Sequence, residues 1–415
     1  MSKSIQLDRQ RIRELFDLRN RGNNGFPVYY DDPYPAWQHL RETGPVHEGI
    51  VHELTGFEGP AMFQGLPFPD RPHYSAFGFD DCDKVFRDEA TYASHTERID
   101  TTQIGMFNSI LTMGGSEHRR YRTLVQPSFV PAKAQWWIQN WIEETVQGLI
   151  DGFEADGKCE LNVDFDAAIP VLTITGSFGL SVDDALDIRS ALGGGGTGKS
   201  IPDYLAPVIE ARRVHPEDDL ISVLCQASVS DEDGTTHRLT DAEILSFSLL
   251  LLAAGSGTTW KQLGITLVAL LTRPDVLDAV REDRTLLRAA IEESVRWSPT
   301  DPMFSRFATC DTELAGVPIP EGAVMHLCLG AANRDPARWD RPDDYDIGRA
   351  PASTLGFGGG PHICLGMHVA RAEIFTAISA LLDRLPNLRL DPDAEQPQII
   401  GMYERGPSEI NVLWG

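Results

Sequence analysis

The chain has 415 residues, with 36 Lys and Arg against 61 Asp and Glu, a formal net charge of −25. At about 100–200 residues per domain, this length gives a prior of two to four domains, a prior that large single-core enzymes break. A composition that is 42% hydrophobic and 23% charged excludes wholesale disorder, and so acidic a balance argues against nucleic-acid binding and against a basic membrane-surface protein.

The N-terminal stretch MSKSIQLDRQRIREL is polar and lacks an apolar core, so it does not read as a secretory signal; residues 1–24 read as an extension. Residues 1–80 look irregular, with a short helix near Pro35–Thr43. Helices are predicted at Arg119–Val125 and, after Pro131, at Ala132–Phe153. Thr240-Asp241-Ala242-Glu243 is a capping box, and the apolar pattern behind it runs to Leu271 before Pro274 stops it. A helix apolar on nearly every face lies in the core of a large domain, which favours one domain. Its longest apolar run, Ile244–Ala254, is broken by Ser246 and Ser248 and is too short to span a bilayer. Gly255 and Gly257 sit mid-helix at about 1 kcal/mol each relative to Ala. With Thr258 and Thr259 behind them, they mark either a packing notch or a ligand lying against the helix. A further helix, Arg284–Trp297, carries Glu293 and Arg296 on one face. After Pro299 the pattern turns strand-like, with short strands over Thr309–Gly330 and a turn at Ala331–Pro336.

Six cysteines are scattered with no CxxC spacing, which reads as reduced, cytoplasmic usage. One of them has unusual surroundings. In Leu355-Gly-Phe-Gly-Gly-Gly-Pro-His-Ile-Cys-Leu-Gly366 a glycine-rich loop delivers Cys364 to the start of a helix predicted over Leu365–Leu385. Helix N–H groups and the positive dipole end favour a thiolate there, and glycines let backbone approach a flat ligand. A buried cysteine is more often a small hydrophobe, but a hydrophobe has no need of five glycines and a histidine.

Phe357 to Gly366 fits the haem-thiolate pattern F-x-x-G-x-[HR]-x-C-x-G at every fixed position, and on these residues the chain resembles the bacterial soluble cytochromes P-450. Other segments match in order over about residues 25–415: Glu293-Ser-Val-Arg296, Arg334 in Asn-Arg-Asp-Pro, Ala254-Gly-Ser-Gly-Thr-Thr259, and Ser116-Glu-His-Arg-Arg-Tyr-Arg122. The resemblance implies a mainly α fold with small β-sheets, one domain over residues 1–415, and haem b held without covalent attachment between the long helix and the Cys-loop helix. It implies Cys364 as the iron ligand, Phe357 packed against the haem near the sulfur, Gly366 among the cofactor-binding residues, and His118, Arg122, Arg306 and His362 on the haem propionates. Glu293, Arg296 and Arg334 would form a structural ionic network. Ala254 and Gly255 would leave room for dioxygen, with Thr258 helping to deliver protons. Ile104–Leu111, Leu250, Ala253, Pro302–Phe304 (with Met303) and Met402-Tyr403 would face substrate. The implied reaction is monooxygenation of a small or medium hydrophobic molecule. Electrons are expected from a separate ferredoxin and its NAD(P)H-dependent reductase, docking on Arg119, Arg120, Lys133 and Arg371, because the chain ends soon after the family's last strand, Glu404–Gly415.

Two departures matter. The family's usual acid before the helix threonine is here Gly257, so either protons arrive by another acid or a water chain, or turnover is slow and uncoupled. The alternatives this opens are peroxide-driven peroxygenase chemistry or a haem protein that sequesters ligand. The stretch from Leu180 to Arg213 looks shorter than the family's lid and carries Gly193–Gly196, which predicts a mobile lid. Gly193 to Ser200 also fits the P-loop pattern G-x-x-x-x-G-K-[ST], but what precedes it is helix-like rather than a buried strand, so nucleotide binding is not expected.

Overall fold

The computed structural model describes residues 7–16, 32–56, 68, 70–94, 109–192, 199–230 and 234–415. The N-terminal extension is described only over residues 7–16, where Arg9–Phe16 is a helix. Residues 104–108 of the expected substrate face and Gly193–Gly198 of the lid lie outside the described residues.

The long helix spans Asp241–Leu271, capped as its sequence predicts: Thr240 Oγ1 accepts from the Glu243 N–H at 3.3 Å and the Glu243 carboxylate accepts from the Thr240 N–H at 2.7 Å. It is the one described helix long and apolar enough to cross a membrane, yet it lies within the core. Helices Ala168–Ser177, Leu286–Trp297 and Met367–Arg384 pack around it. Gln262 ties it to the helix Leu286–Trp297 and the segment after it, with Nε2 donating to Ser294 Oγ at 3.2 Å and Oε1 accepting from the Thr300 N–H at 3.0 Å.

A five-stranded sheet flanks this helical core, in the order Val46–Glu48, His73–Ala76, Val324–Cys328, Met303–Ala308, Tyr92–Ala93. Its one parallel pairing joins His73–Ala76 to Val324–Cys328. A small hairpin, Ile399–Ile400 with Gly406–Pro407, lies along the long helix. Its contact is close: a Cβ on Gly264 would meet Pro407 at 2.5 Å.

Three predicted elements come out differently. The helix expected over Ala132–Phe153 is broken into Ala134–Trp137, a wide π turn Ile138–Ile142, and Glu143–Asp151. The wide turn accompanies a cluster of Trp136, Trp137 and Trp141 with ring centroids 4.5–5.7 Å apart, so side-chain packing overrides the uniform helical pattern. The strands begin earlier than Thr309, at Met303–Ala308. The turn expected at Ala331–Pro336 follows a short helix, Leu329–Ala332.

Candidate active site

The cysteine loop is shaped by close backbone packing. Gly358 and Gly360 have φ of +71° and +62°, and a Cβ on Gly360 would meet the Phe86 carbonyl at 2.0 Å, so only glycine fits there. Gly356 packs on Val295 of the helix Leu286–Trp297. The Cys364 N–H donates to the Phe357 carbonyl at 2.8 Å, closing the loop just ahead of the helix Met367–Arg384. Surrounding protein pushes the Cys364 thiol up, while the Gly366 N–H and the charges of Arg122 and Arg371 pull it down. The cysteine nonetheless keeps accessible surface. A residue enclosed by protein and still accessible faces an internal space. The Arg371 guanidinium lies 4.5 Å from the Phe357 ring centroid and pairs with Glu292.

The predicted propionate residues come together. The His118 and His362 rings stack at 3.9 Å, and the Arg122 guanidinium donates to the Ile363 carbonyl at 2.6 Å. Arg306 is buried over the Phe86 ring, and burial lowers its pKa to about 10, with Glu89 opposing. Burial and the Arg122 charge lower that of His118, and neither ring nitrogen of this buried histidine has a hydrogen-bond partner among the described residues. Among the described residues, Glu89 is the carboxylate that acts on His118 and Arg306, and it lies 3.5 Å from His362. Ligand atoms of Glu89, His118 and His362 lie within 4.8 Å of one another, close enough to surround a cation, but Arg122 and Arg306 beside them favour anions. The donor set suits the carboxylate edge of a cofactor.

The Glu293–Arg296 pair is buried and bidentate, both distances 2.7 Å. Arg296 also donates to the carbonyls of Asn333, Pro342 and Asp344 at 2.7–3.0 Å. Arg334 does not complete this pair as expected: it donates to the Trp297 carbonyl at 2.7 Å and to Asp343 at 3.3 Å, and stacks on Tyr34. The residue at Glu293 is Arg349, at 3.3 Å, together with the Asp346 N–H at 2.9 Å. Nothing in the sequence around Arg349 marks it, because its role depends on how the loop 341–349 folds back.

In the long helix, Ala253 and Ala254 are exposed although their neighbours Leu251 and Leu252 are buried, so a void opens at mid-helix. Thr258 Oγ1 donates to the Ala254 carbonyl at 3.2 Å. Gly255 and Gly257 are half-buried: a Cβ on Gly255 would meet Ile174 at 4.0 Å, and one on Gly257 would meet Glu404 Oε1 at 3.7 Å. Asp301 is enclosed enough for its pKa to rise to about 7, through burial first and then the Glu404 charge, with Lys261 opposing. Its charge also reaches Cys364. Asp301 is thus within electrostatic reach of both Cys364 and the Glu404–Lys261 pair. Neither Asp301 nor Glu404 stood out in the sequence, because each sits among ordinary turn residues.

Of the expected substrate face, Ala253, Phe304, Tyr403 and Leu111 have accessible surface. Met303 and Met402 are corrected: each is 2% exposed in a cluster with Tyr34, Trp37 and Cys328, so packing occupies them. Leu250 is also mostly buried, at 8% exposed. Around the P-loop lookalike, the preceding element is the helix Val182–Leu192, and Ser200 caps the helix Ile201–Val214 with Asp203. Ser200 thus has a capping role, and the strand a phosphate loop requires is replaced by helix.

A family model described as Cytochrome P450 matches residues 198–402. Cytochrome P450 105C1 of a Streptomyces species is 35% identical over 312 residues, 72% of this chain and 80% of the relative. Cytochrome P450 monooxygenase PikC of Streptomyces venezuelae is 31% identical over 382 residues, covering 87% and 85%. The solved structure of P450BioI in complex with hexadec-9Z-enoic acid-ligated acyl carrier protein has a TM-score of 0.77 at 28% identity, over 92% of this chain and 99% of that one. With these relatives, the cysteine loop and its cationic border, the chain belongs to the cytochrome P450 family of haem b monooxygenases.

Proposed function

We propose that this protein inserts one atom of dioxygen into a C–H bond of a small or medium apolar molecule, in the reduced cytoplasm, with electrons from a separate ferredoxin and its NAD(P)H-dependent reductase. The observation that carries the reading is the accessible Cys364 on an enclosed space bordered by Arg122, Arg306, His362 and a buried His118 whose ring nitrogens have no hydrogen-bond partner among the described residues. When bound, haem b supplies the oxygen-activating iron, with Cys364 as its thiolate ligand.

The chain's own residues do the rest. The Gly366 N–H holds negative charge on the sulfur, and Phe357, covered by Arg371, keeps water from it. His118, Arg122, Arg306 and His362 bind the propionates through charge-assisted hydrogen bonds. Glu293 and Arg296 anchor the loop 333–349. Ala254 and Gly255 leave space on the opposite wall, and the Thr258 hydroxyl orders water there. Ala253, Phe304 and Tyr403 offer mainly apolar surface, which selects a hydrophobic substrate. Exposed Arg119 and Lys133, with half-buried Arg120, form the ferredoxin face.

The test is the carbon monoxide spectrum of the reduced protein, followed by product analysis with a ferredoxin system on ligands that shift the ferric spin state. A thiolate-type band with product is the expected result. Absence of that band overturns the reading, and the band without product from any spin-shifting ligand would make the protein a binder.

A further inference from the structure

Gly257 leaves the long helix without a side chain one residue before Thr258, and the space is not empty. The tip of the hairpin Ile399–Pro407 brings Glu404 to it, with Oε1 3.7 Å from where a Cβ on Gly257 would stand. Glu404 forms an ion pair with Lys261, one helical turn beyond Gly257. The tip is held in place. The Arg405 N–H donates to the Thr300 carbonyl at 2.7 Å, the Arg405 guanidinium donates to the Gly401 carbonyl at 2.6 Å, and a Cβ on Gly406 would meet Lys261 Cγ at 2.9 Å. Thr300 in turn leads directly into Asp301, which feels both Glu404 and Lys261.

We propose that Glu404 is the proton-relay carboxylate of this enzyme, reaching Thr258 from the hairpin rather than from the helix, with Lys261 and Asp301 as its partners. The inference rests on the monooxygenase reading above. In the coupled reaction the substrate C–H bond, dioxygen, two electrons from the one-electron donor protein and two protons give C–OH and water. Without timely protonation the same two electrons and two protons leave as hydrogen peroxide. Glu404 changes only the route of the protons: it takes one from solvent at its exposed edge, its side chain being 42% exposed, and passes it to water held by the Thr258 hydroxyl. A carboxylate both wetted and fixed against the helix suits that task. The ion pair with Lys261 holds the carboxylate in place.

The test compares the haem-loaded wild type with Glu404→Gln, Glu404→Asp and the double variant Gly257→Asp/Glu404→Gln. All are first checked for a thiolate-type carbon monoxide band. Two readouts follow. The infrared C–O stretch of the carbon monoxide complex and the carboxyl bands in light and heavy water report the polar groups around the space without turnover. Peroxide released per electron pair, with its solvent isotope effect, reports proton delivery. Glu404→Gln is expected to shift the C–O stretch, raise the isotope effect and slow the proton-dependent step by about tenfold or more. Glu404→Asp should retain most of the coupling. A carboxylate restored on the helix in Gly257→Asp/Glu404→Gln should recover it, the new Cβ fitting at ordinary contact distance. Thiolate-type spectra with unchanged C–O stretch, isotope effect and peroxide yield in Glu404→Gln overturn the relay and leave the monooxygenase reading standing. A wild type without the thiolate band overturns both. If Glu404→Gln alone lost the band, the relay would stand or fall on whether the double variant matches wild type.

Discussion

Arg306 shows how a single residue can reveal the group it was selected to meet. A buried guanidinium costs several kcal/mol unless paired, yet this one donates to the carbonyl of its own neighbour Ser305 at 2.8 Å and lies over Phe86. Burial lowers its pKa, which still leaves it charged at neutral pH. His118, buried with both ring nitrogens unpartnered among the described residues, presents the same imbalance beside it. Haem carboxylates would relieve both. Replacing Arg306 with Ala should therefore weaken haem binding rather than merely slow turnover. The loss of one or two charge-assisted hydrogen bonds, each about 1.5–3 kcal/mol, corresponds to roughly 10-fold to more than 100-fold weaker retention. Transfer of haem to a high-affinity acceptor protein measures this, and unchanged transfer would remove Arg306 from the propionate set. At Cys364 the expected outcome differs in kind. Cys364→Ser should keep much of the haem, because the cationic border is intact, and lose the thiolate-type carbon monoxide band.

At the scale of elements, the helix Leu286–Trp297 acts as a bracket. Arg296 binds Glu293 and three carbonyls of the loop 333–344 through one planar fork, a pattern a lysine cannot reproduce. Arg296→Lys keeps the charge but loses at least two of the five hydrogen bonds, about 3 kcal/mol or more at roughly 1.5–3 kcal/mol for each charge-assisted bond, seen as a fall in the urea midpoint and loss of haem on purification. The helix Met367–Arg384 makes a pH-dependent contribution through Glu373, which is 4% exposed. Burial raises its pKa from the ordinary 4.5 to about 8. The folded state therefore holds a proton that the unfolded state releases, and stability is lost as pH rises from about 4.5 to about 8. Glu373→Gln should match wild type near pH 5 and exceed it in urea midpoint above pH 8; equal midpoints at both would refute the shift. Sequence reading located such elements where local chemistry marks them. Thr240 and Glu243 set the start of the core helix, and the glycines before Cys364 set the loop. It missed what only folding brings together: the π turn that packs three tryptophans, Arg349 rather than Arg334 on Glu293, and the hairpin that carries Glu404 to Gly257. Each depends on partners far apart in the chain, where spacing carries no signal.

On the scale of the whole molecule, the charge of −25 sets the problem of meeting an electron donor. Ferredoxins as a class are acidic, and two acidic surfaces repel, so association needs a local reversal of sign. The exposed Arg119 shares the helix Gly115–Val125 with Arg122, which is hydrogen-bonded to the cysteine loop, and Lys133, also exposed, follows in the turn Pro131–Lys133. Arg371 is less available, since it is held by Glu292 and covers Phe357. It therefore belongs with the sulfur's protection more than with docking. The face proposed for docking is then small, and that makes it testable. Reversing Arg119 and Lys133 together to Glu should lower ferredoxin-supported electron transfer by about tenfold or more at low salt, with the deficit shrinking as ionic strength rises, because the lost term is long-range steering. Reduction by dithionite, which needs no docking, should give the same carbon monoxide spectrum as wild type. A deficit that persists undiminished at high salt would mean that short-range contacts were lost instead, and an unchanged rate at low salt would place the donor on another face of the molecule.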